Sequence, residues 1–226
     1  MRPKRAIREI KYRYTFTSIL NFPVDLLGTT KLRVRELLDE LEREKPFVES
    51  VYTNLEAHPP SSERWPMTLE AELLYVLIRL IEPEVVVETG VGAGKSSAFI
   101  LNAMQKNGYG LLYSIDLPNE KDSSGWVIPE NLRDRWDLRL GSSRELLGSL
   151  LQEKGPIDIF LHDSDHSYGN MMFEFRTVWQ FIKRNGLFLA HDVGRNDALF
   201  DFCHEVNVSW TRVRTFHVLS GIIKPS

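Results

Sequence analysis

The spacing of hydrophobic residues divides the chain into an irregular first part and a regular second part. From Thr68 onward, apolar runs of strand length alternate with stretches whose apolar residues recur at helical spacing. Strands that are apolar throughout and separated by helices are typical of a parallel sheet covered on both faces. The pattern therefore predicts an α/β fold with a doubly wound, mostly parallel sheet. The predicted strands are "EVVVETG", "LLYSID", "DLRLGS", "IDIFLHD" and "LFLAHD".

Helical spacing predicts four helices, "TLEAELLYVLIRLI", "SSAFILNAMQKNG", "SSRELLGSLLQEKG" and "MMFEFRTVWQFIKRNG". Thr68 suits the N-cap of the first helix, and Gly108 suits the end of the second. Earlier in the chain, "KLRVRELLDELEREK" predicts one charged helix, and the Pro- and Ser-rich "AHPPSSERWP" predicts a linker. We expect residues 1–65 to form an N-terminal helical extension, either a cap or an oligomer interface, and residues 66–226 to form the main domain.

Acidic residues end four of the predicted strands: Glu88, Asp116, Asp163 and Asp192. In a doubly wound sheet, ligands bind beyond the carboxyl ends of the strands. We therefore expect these four carboxylates to line one rim of the sheet and to mark the functional site.

The glycine loop in "VVVETGVGAGKSS", residues 85–97, matches neither common phosphate-binding pattern. A P-loop needs four residues between its first glycine and the Gly-Lys pair, and here only three separate Gly90 from Gly94. A dinucleotide fingerprint needs a glycine at its sixth position, which Lys95 occupies here.

What remains is the pattern E-x-G-x-G-x-G, formed by Glu88, Gly90, Gly92 and Gly94. A carboxylate two residues before the loop would repel a phosphate but would favour an ammonium group or hydroxyls. The glycines let the backbone approach a ligand closely, and the next helix N-terminus can receive a carboxylate. A cationic amino acid joined to a nucleoside meets these demands. A P-loop and a turn without a ligand stay open as alternatives.

This segment resembles motif I of class I S-adenosylmethionine-dependent methyltransferases, and the resemblance extends from Thr68 to the C-terminus. It implies a Rossmann-like sheet of seven strands that ends in an antiparallel hairpin within "WTRVRTFHVLSGIIKPS". It also implies S-adenosylmethionine as the co-substrate, bound by Glu88, by the glycines 90, 92 and 94, and by Ser96 at the start of the next helix. Residues 66–226 would then form the methyltransferase domain.

The same resemblance implies two further cofactor contacts. Asp116 falls where the second acid of the family holds the ribose hydroxyls. "RLGSSRELL" resembles a segment of catechol O-methyltransferase-like members that lies near the adenine, so Gly141 and Ser143 would flank the base.

Two segments resemble the acceptor end of the catechol and sugar O-methyltransferase-like branch, "IDIFLHDSDHSY" and "GLFLAHDV". In metal-dependent members these positions bind a divalent cation, which implies Asp163, His191 and Asp192 as ligands of Mg²⁺ or Mn²⁺. In the sugar-modifying branch the position of His166 is a base, which implies catalytic roles for His166 and Asp163. Mg²⁺ prefers oxygen ligands, whereas the residue at position 191 offers an imidazole nitrogen. Three alternatives to a directly bound Mg²⁺ therefore stay open: a softer metal, a His191 that does not touch the metal, or no metal at all.

The net charge and the composition limit the kinds of binding partner that we expect for the protein. The net charge of −3 provides no global field that would recruit nucleic acid or an anionic membrane. The basic start "MRPKRAIREIKYR" is the local exception; we interpret it as a solvated or subunit-binding segment, with an arm that binds nucleic acid or lipid as the alternative. The single Cys203 is consistent with a reducing compartment, and "AELLYVLIRLI" is too short to span a bilayer. We expect a cytoplasmic protein, able to form a homo-oligomer, with a small-molecule acceptor and without a membrane or nucleic-acid partner.

The sequence therefore predicts an S-adenosylmethionine-dependent methyltransferase that methylates a small-molecule hydroxyl with the assistance of a divalent metal. Three alternatives remain open: a metal-independent N- or C-methyltransferase, a P-loop-like nucleotide-binding protein, and a non-catalytic cofactor-binding module. No segment of the sequence identifies the acceptor.

Overall fold

The computed structural model describes residues 16–17, 19–57, 70–118, 124–214 and 218–226. The basic start, most of the predicted linker and the predicted N-cap Thr68 lie outside the described residues. The strands are β1 (Phe16–Thr17), β2 (Val85–Thr89), β3 (Leu111–Asp116), β4 (Trp136–Leu140), β5 (Ile157–His162), β6 (Ile182–Ala190), β7 (Thr211–Arg214) and β8 (Val218–Ile223). The α-helices are α1 (Asn21–Leu27), α2 (Lys31–Arg43), α3 (Lys45–Ala57), α4 (Glu70–Ile81), α5 (Lys95–Asn107), α6 (Ser143–Lys154), α7 (Tyr168–Trp179) and α8 (Ala198–Glu205). A 3₁₀ helix, Glu130–Arg135, precedes β4.

All eight strands form one sheet in the order β1-β7-β8-β6-β5-β2-β3-β4. Strand β8 is antiparallel to β6 and β7, whereas β6, β5, β2, β3 and β4 pair in parallel. This arrangement confirms the predicted doubly wound, mostly parallel sheet with an antiparallel C-terminal hairpin. The two-residue β1 pairs with β7 and adds a short eighth strand at the edge.

Apolar side chains cover both faces of the sheet because successive residues of a strand point to opposite sides. Val86 belongs to the buried cluster that includes Phe99 of α5. Its neighbour Val87 belongs to the cluster on the other face, with Phe175 of α7. Burial on both faces explains why the central strands read as continuous apolar runs.

The strand register brings four loops to one edge. Thr89, the last residue of β2, pairs with Ile115 on β3 and with His162 on β5. His162 in turn pairs with Ala190, the last residue of β6. The loops after β2, β3, β5 and β6 therefore leave the sheet side by side, as expected for a ligand-binding rim.

Within residues 19–57, the described part of the N-terminal extension, there are three helices, of which the sequence pattern predicted α2 alone. Thr30 caps α2 by accepting a hydrogen bond from the Arg33 backbone N–H at 3.1 Å. Helix α2 joins α4 through an ion pair between Glu40 and Arg79 at 2.8 Å. The Arg79 guanidinium lowers the pKa of Glu40 to about 2. None of the helices in the described ranges is both long and apolar enough to cross a bilayer.

Two other elements differ from the predicted ones. Helix α7 ends at Trp179, and the segment after it, predicted as the end of that helix, begins β6 at Ile182. The β5–β6 register shifts after Ile157, and Asn185 has a φ of +61°, so this part of β6 is irregular. Helix α8 was not predicted, since its eight residues offer little more than two turns of periodic pattern.

Candidate active site

The loops at the carboxyl edge of the sheet surround a cavity of about 620 Å³. Its volume lies within the range of small-molecule and cofactor sites. The cavity is lined by residues 90–92, 115–117, 141–144 and 163–166, and by Asn170, His191, Asp192 and Arg195. Three of the four strand-end acids, Asp116, Asp163 and Asp192, thus face one cavity.

Gly90 brings the glycine loop against the loop that follows β5. Its φ is +85°, and a Cβ added here would lie 2.2 Å from the carbonyl oxygen of Asp163. The backbone N–H of Asp163 donates to the Thr89 carbonyl at 2.8 Å, which fixes this approach. A side chain at position 90 would therefore push the glycine loop and Asp163 apart.

Glu88 lies beneath the loop and not on the cavity wall. It is fully buried, and its two oxygens accept hydrogen bonds from Ser96 at 2.6 Å, Ser97 at 2.6 Å and Ser114 at 2.9 Å. Burial raises its pKa to about 7, although the three hydroxyl donors act in the opposite direction. Direct ligand contacts of Glu88, Gly94 and Ser96 stay predictions, whereas the structure shows Glu88 joining β2 to β3 and α5.

Asp116 stands at the end of β3 with its carboxylate at the cavity. It accepts hydrogen bonds from the backbone N–H groups of Gly92 at 3.1 Å and Leu117 at 3.0 Å. The N–H of Gly141 donates to the Asp116 carbonyl at 2.8 Å, which places the loop before α6 beside it. Gly141 and Ser143 both line the cavity, and their contact with the adenine base stays a prediction.

Asp163, His166 and His191 come together at the other end of the cavity. Asp163 Oδ1 lies 2.7 Å from His191 Nδ1 and 3.6 Å from His166 Nε2. One potential ligand atom from each of the three residues lies within 4.8 Å of the other two. On its far side, His191 Nε2 contacts Glu70 of α4 at 3.3 Å.

The two histidines differ in charge. Burial lowers the pKa of His166 to about 4, so its imidazole is neutral at neutral pH. Burial also disfavours charge on His191, but the carboxylates of Asp163 and Glu70 outweigh it and raise the pKa to about 10. His191 is therefore a cation between two carboxylates.

Asp192 faces the cavity but binds Arg195 instead of joining this group. Its φ of +52° bends the chain, so that Asp192 and His191 both reach the cavity although they are adjacent. The Asp192 carboxylate contacts the Arg195 guanidinium at 2.6 and 2.8 Å. Of the three predicted metal ligands, the structure groups Asp163 with His191, and the third member of the group is His166.

Glu174 of α7 is a site residue that the sequence analysis missed. It is fully buried and accepts hydrogen bonds from Thr89 and Ser164, each at 2.6 Å, while His162 Nδ1 lies 2.6 Å away. Burial opposes its charge, but the contact with His162 and the hydroxyl donors dominate and lower its pKa to about 2. Glu174 thus ties the ends of β2 and β5 to the loop of Asp163. The sequence did offer one sign of this role, since Glu174 is an acidic residue among the apolar residues of the helix segment "MMFEF".

The sheet order, the glycine loop after β2 and the acid that ends β3 define the fold class of the S-adenosylmethionine-dependent methyltransferases of class I. A family model for a methyltransferase domain matches residues 87–193. The chain therefore has the fold of the class I S-adenosylmethionine-dependent methyltransferases and contains a segment that matches a methyltransferase domain.

Similar solved structures share this fold at low sequence identity. An O-methyltransferase from Bacillus cereus in complex with S-adenosylhomocysteine is 17% identical, with 93% of this chain and 99% of that chain covered and a TM-score of 0.57. PaMTH1 of Podospora anserina, bound to S-adenosylhomocysteine, is 14% identical, with coverages of 80% and 88% and a TM-score of 0.62. TomG of Streptomyces achromogenes, in complex with S-adenosylmethionine, is 14% identical, with coverages of 79% and 89% and a TM-score of 0.60. Comparison with curated proteins gave no match.

Proposed function

We propose that the protein transfers the methyl group of S-adenosylmethionine to a hydroxyl oxygen of a small molecule. The observation that carries this proposal is one cavity whose two ends differ in chemistry: glycine-loop backbone and Asp116 at one end, and Asp163 with His166 at the other. Methyl transfer needs the nucleophile and the sulfonium methyl aligned in one enclosed space. Two of the similar proteins, from Bacillus cereus and Streptomyces achromogenes, are O-methyltransferases, which supports oxygen as the acceptor atom.

In the cofactor half, Asp116 binds the ribose hydroxyls, because its carboxylate is held at the cavity by two backbone N–H groups. Gly90 and Gly92 let the backbone lie against the amino-acid part, and Gly141 and Ser143 flank the adenine. The remaining predicted cofactor residues, Glu88, Gly94 and Ser96, stabilise the glycine loop on the side away from the cavity. The serine contacts of Glu88 hold the start of α5 in place under the cofactor.

In the acceptor half, the hydroxyl must lose its proton as it attacks the methyl group. His166 suits the role of base because its Nε2 is buried at the cavity, makes no hydrogen bond within the described part of the chain, and belongs to a neutral ring. Asp163, 3.6 Å from that nitrogen, stabilises the imidazolium that forms. Both residues are therefore the proposed catalytic pair.

Titration of the protein with S-adenosylhomocysteine in a calorimeter tests the cofactor half. We expect Asp116→Ala to weaken binding by about 10- to 100-fold, since a hydrogen bond to a charged group contributes about 1.5–3 kcal/mol. Asp134→Ala, which removes an exposed carboxylate away from the cavity, is the matched control and should bind like the wild type. Absence of binding to the wild type would refute the proposal.

Methyl transfer itself is tested with labelled S-adenosylmethionine and a panel of catechols, phenols and sugars. The expected result is labelling of an oxygen that is lost in His166→Ala, while S-adenosylhomocysteine binding is retained. Labelling of nitrogen or carbon acceptors alone would contradict the assignment to oxygen. A cytoplasmic location, a homo-oligomer and the role of residues 1–65 as cap or interface stay predictions.

A further inference from the structure

We propose that Glu70, the first residue of α4, is a positioning residue for the proposed methyl transfer: it holds the His191 ring against Asp163 and so keeps Asp163 beside the base His166. The inference rests on the proposed function and deepens it, because it identifies what sets the geometry of the catalytic pair. Glu70 lies outside the residues that line the cavity, and the sequence analysis did not identify it as a site residue.

A chain of three contacts connects Glu70 to the base. Glu70 Oε2 lies 3.3 Å from His191 Nε2, and Asp163 Oδ1 lies 2.7 Å from His191 Nδ1. The same oxygen of Asp163 lies 3.6 Å from His166 Nε2. Because both rings face this one oxygen, the orientation of the His191 ring determines where the oxygen lies relative to His166.

The His191 ring depends on side-chain contacts for its orientation. The backbone N–H of His191 donates to the His162 carbonyl at 2.9 Å, which fixes the main chain but leaves the side-chain torsions free. The second torsion of a histidine has a broad, roughly two-fold preference, so polar contacts select the ring orientation. With Glu70 at one ring nitrogen and Asp163 at the other, two carboxylates hold the ring from both sides.

Glu70 is itself held by a well-anchored helix. Glu70 is only 9% exposed, and Leu77 of the same helix is fully buried. The ion pair between Arg79 and Glu40 ties the other end of α4 to α2. A side chain on such a rigid element positions its partner more precisely than a side chain on a loop.

Lys95 offers a second explanation for the buried carboxylate. Burial lowers the pKa of Lys95, and the nearby carboxylates of Glu70 and Glu72 act in the opposite direction. If Glu70 served this lysine alone, its loss would leave Asp163 and the base in place. The test therefore has to separate an effect through His191 from a loss of packing or of charge.

Two variants of similar size, Glu70→Gln and Glu70→Leu, separate the contact with His191 from packing. The amide oxygen of Gln accepts a hydrogen bond from His191 Nε2, whereas Leu has no acceptor. With labelled S-adenosylmethionine and an acceptor that the wild type methylates, we expect Glu70→Leu to lower kcat about 10- to 100-fold and to leave KM unchanged. Glu70→Gln should keep kcat within about 5-fold of the wild type. Glu72→Gln, at a carboxylate that binds Tyr52 at 3.0 Å, is the control and should match the wild type.

His191→Asn tests whether Glu70 acts through His191. In that background Glu70→Leu should change kcat by less than about 3-fold, because the residue that transmits its effect is already gone. Equal kcat values for Glu70→Gln and Glu70→Leu would overturn the proposal. A full effect of Glu70→Leu in the His191→Asn background would overturn it too and assign Glu70 to Lys95. Glu70→Ala replaces Glu70→Leu if the latter does not fold.

Crystal structures of the wild type and of Glu70→Leu, each with S-adenosylhomocysteine, test the geometry without an acceptor. The distance between Asp163 Oδ1 and His166 Nε2 should increase by about 1 Å in the variant, a displacement large enough to slow the reaction. An unchanged distance would overturn the proposal. If the distance increases but the wild type methylates no oxygen, the proposed function falls and the hold of Glu70 on Asp163 stands. If the wild type methylates an oxygen and Glu70→Leu retains full kcat, the positioning role falls alone.

Discussion

Replacing Gly90 with alanine tests whether the glycine loop and the loop of Asp163 depend on each other. The added Cβ would lie 2.2 Å from the Asp163 carbonyl oxygen, 2.5 Å from its carbon and 2.8 Å from Ser164 Cα. All three atoms belong to the backbone, so no side-chain rotation relieves the overlap. The position also has a φ of +85°, which alanine adopts only at a cost.

Gly108 separates the two contributions. It has the same φ of +85°, but a Cβ there would meet nothing within 4 Å. Gly108→Ala therefore measures the left-handed conformation alone, about 1–2 kcal/mol. Gly90→Ala adds the overlap with the Asp163 loop, about 1–3 kcal/mol by comparison with overpacked sites. The lower entropy of the unfolded alanine chain applies to both variants and cancels in the difference.

Urea unfolding of both variants gives the free energies of unfolding, and calorimetry gives the affinity for S-adenosylhomocysteine. We expect Gly90→Ala to be about 1–3 kcal/mol less stable than Gly108→Ala, and to bind the ligand more weakly because Gly90 and Asp163 both line the cavity. Gly108→Ala should bind like the wild type. Equal free energies of unfolding for the two variants would refute the close contact between the loops.

Two further predictions concern the buried acids. Because burial raises the pKa of Glu88 from 4.5 to about 7, the folded protein binds the extra proton. Stability should therefore fall by about 3 kcal/mol as the pH rises through this window. Glu88→Gln should remove that fall in urea titrations from pH 4 to about 8, and parallel wild-type and variant profiles would contradict it. Glu174→Ala should lower the free energy of unfolding at pH 7 by about 3–5 kcal/mol, since it leaves His162 buried without its carboxylate. Glu153→Ala, at an exposed ion pair, should not change stability. A Glu174→Ala variant as stable as Glu153→Ala would show that Glu174 does not hold the ends of β2 and β5 against the loop of Asp163.

The sheet and the rim of the site could be predicted from the sequence because both follow from local pattern. Continuous apolar strands specify burial on both faces, and the parallel order then brings Asp116, Asp163 and Asp192 to one edge. The glycine loop could be predicted as well, because Gly90 and Gly92 are required by the local turn between β2 and α5 and not by distant contacts. Elements with weak periodicity, such as the eight-residue α8, offered no comparable signal.

Which atoms of the site meet could not be predicted, because that depends on contacts between residues far apart in the chain. The family resemblance implied Asp192 as a metal ligand, but its partner Arg195 can be identified only once the chain bends at a φ of +52°. Glu70 reaches His191 from a helix 121 residues earlier in the chain. Glu88 was predicted at the cavity, and only the packing of α5 shows that three serines surround its carboxylate.

Gly90 and Glu174 together hold the glycine loop against the loop that carries Asp163. Glu174 holds Thr89 and Ser164, the residues on either side of the contact between the glycine loop and Asp163. Gly90 lets those two loops touch through their backbones. A ligand that orders the glycine loop therefore also positions Asp163 and the histidines beside it. This coupling predicts that S-adenosylhomocysteine slows hydrogen exchange at the Asp163 backbone N–H, which donates to the Thr89 carbonyl, and that Gly90→Ala abolishes the effect. An unchanged exchange rate upon addition of S-adenosylhomocysteine to the wild type would show that the two halves act independently.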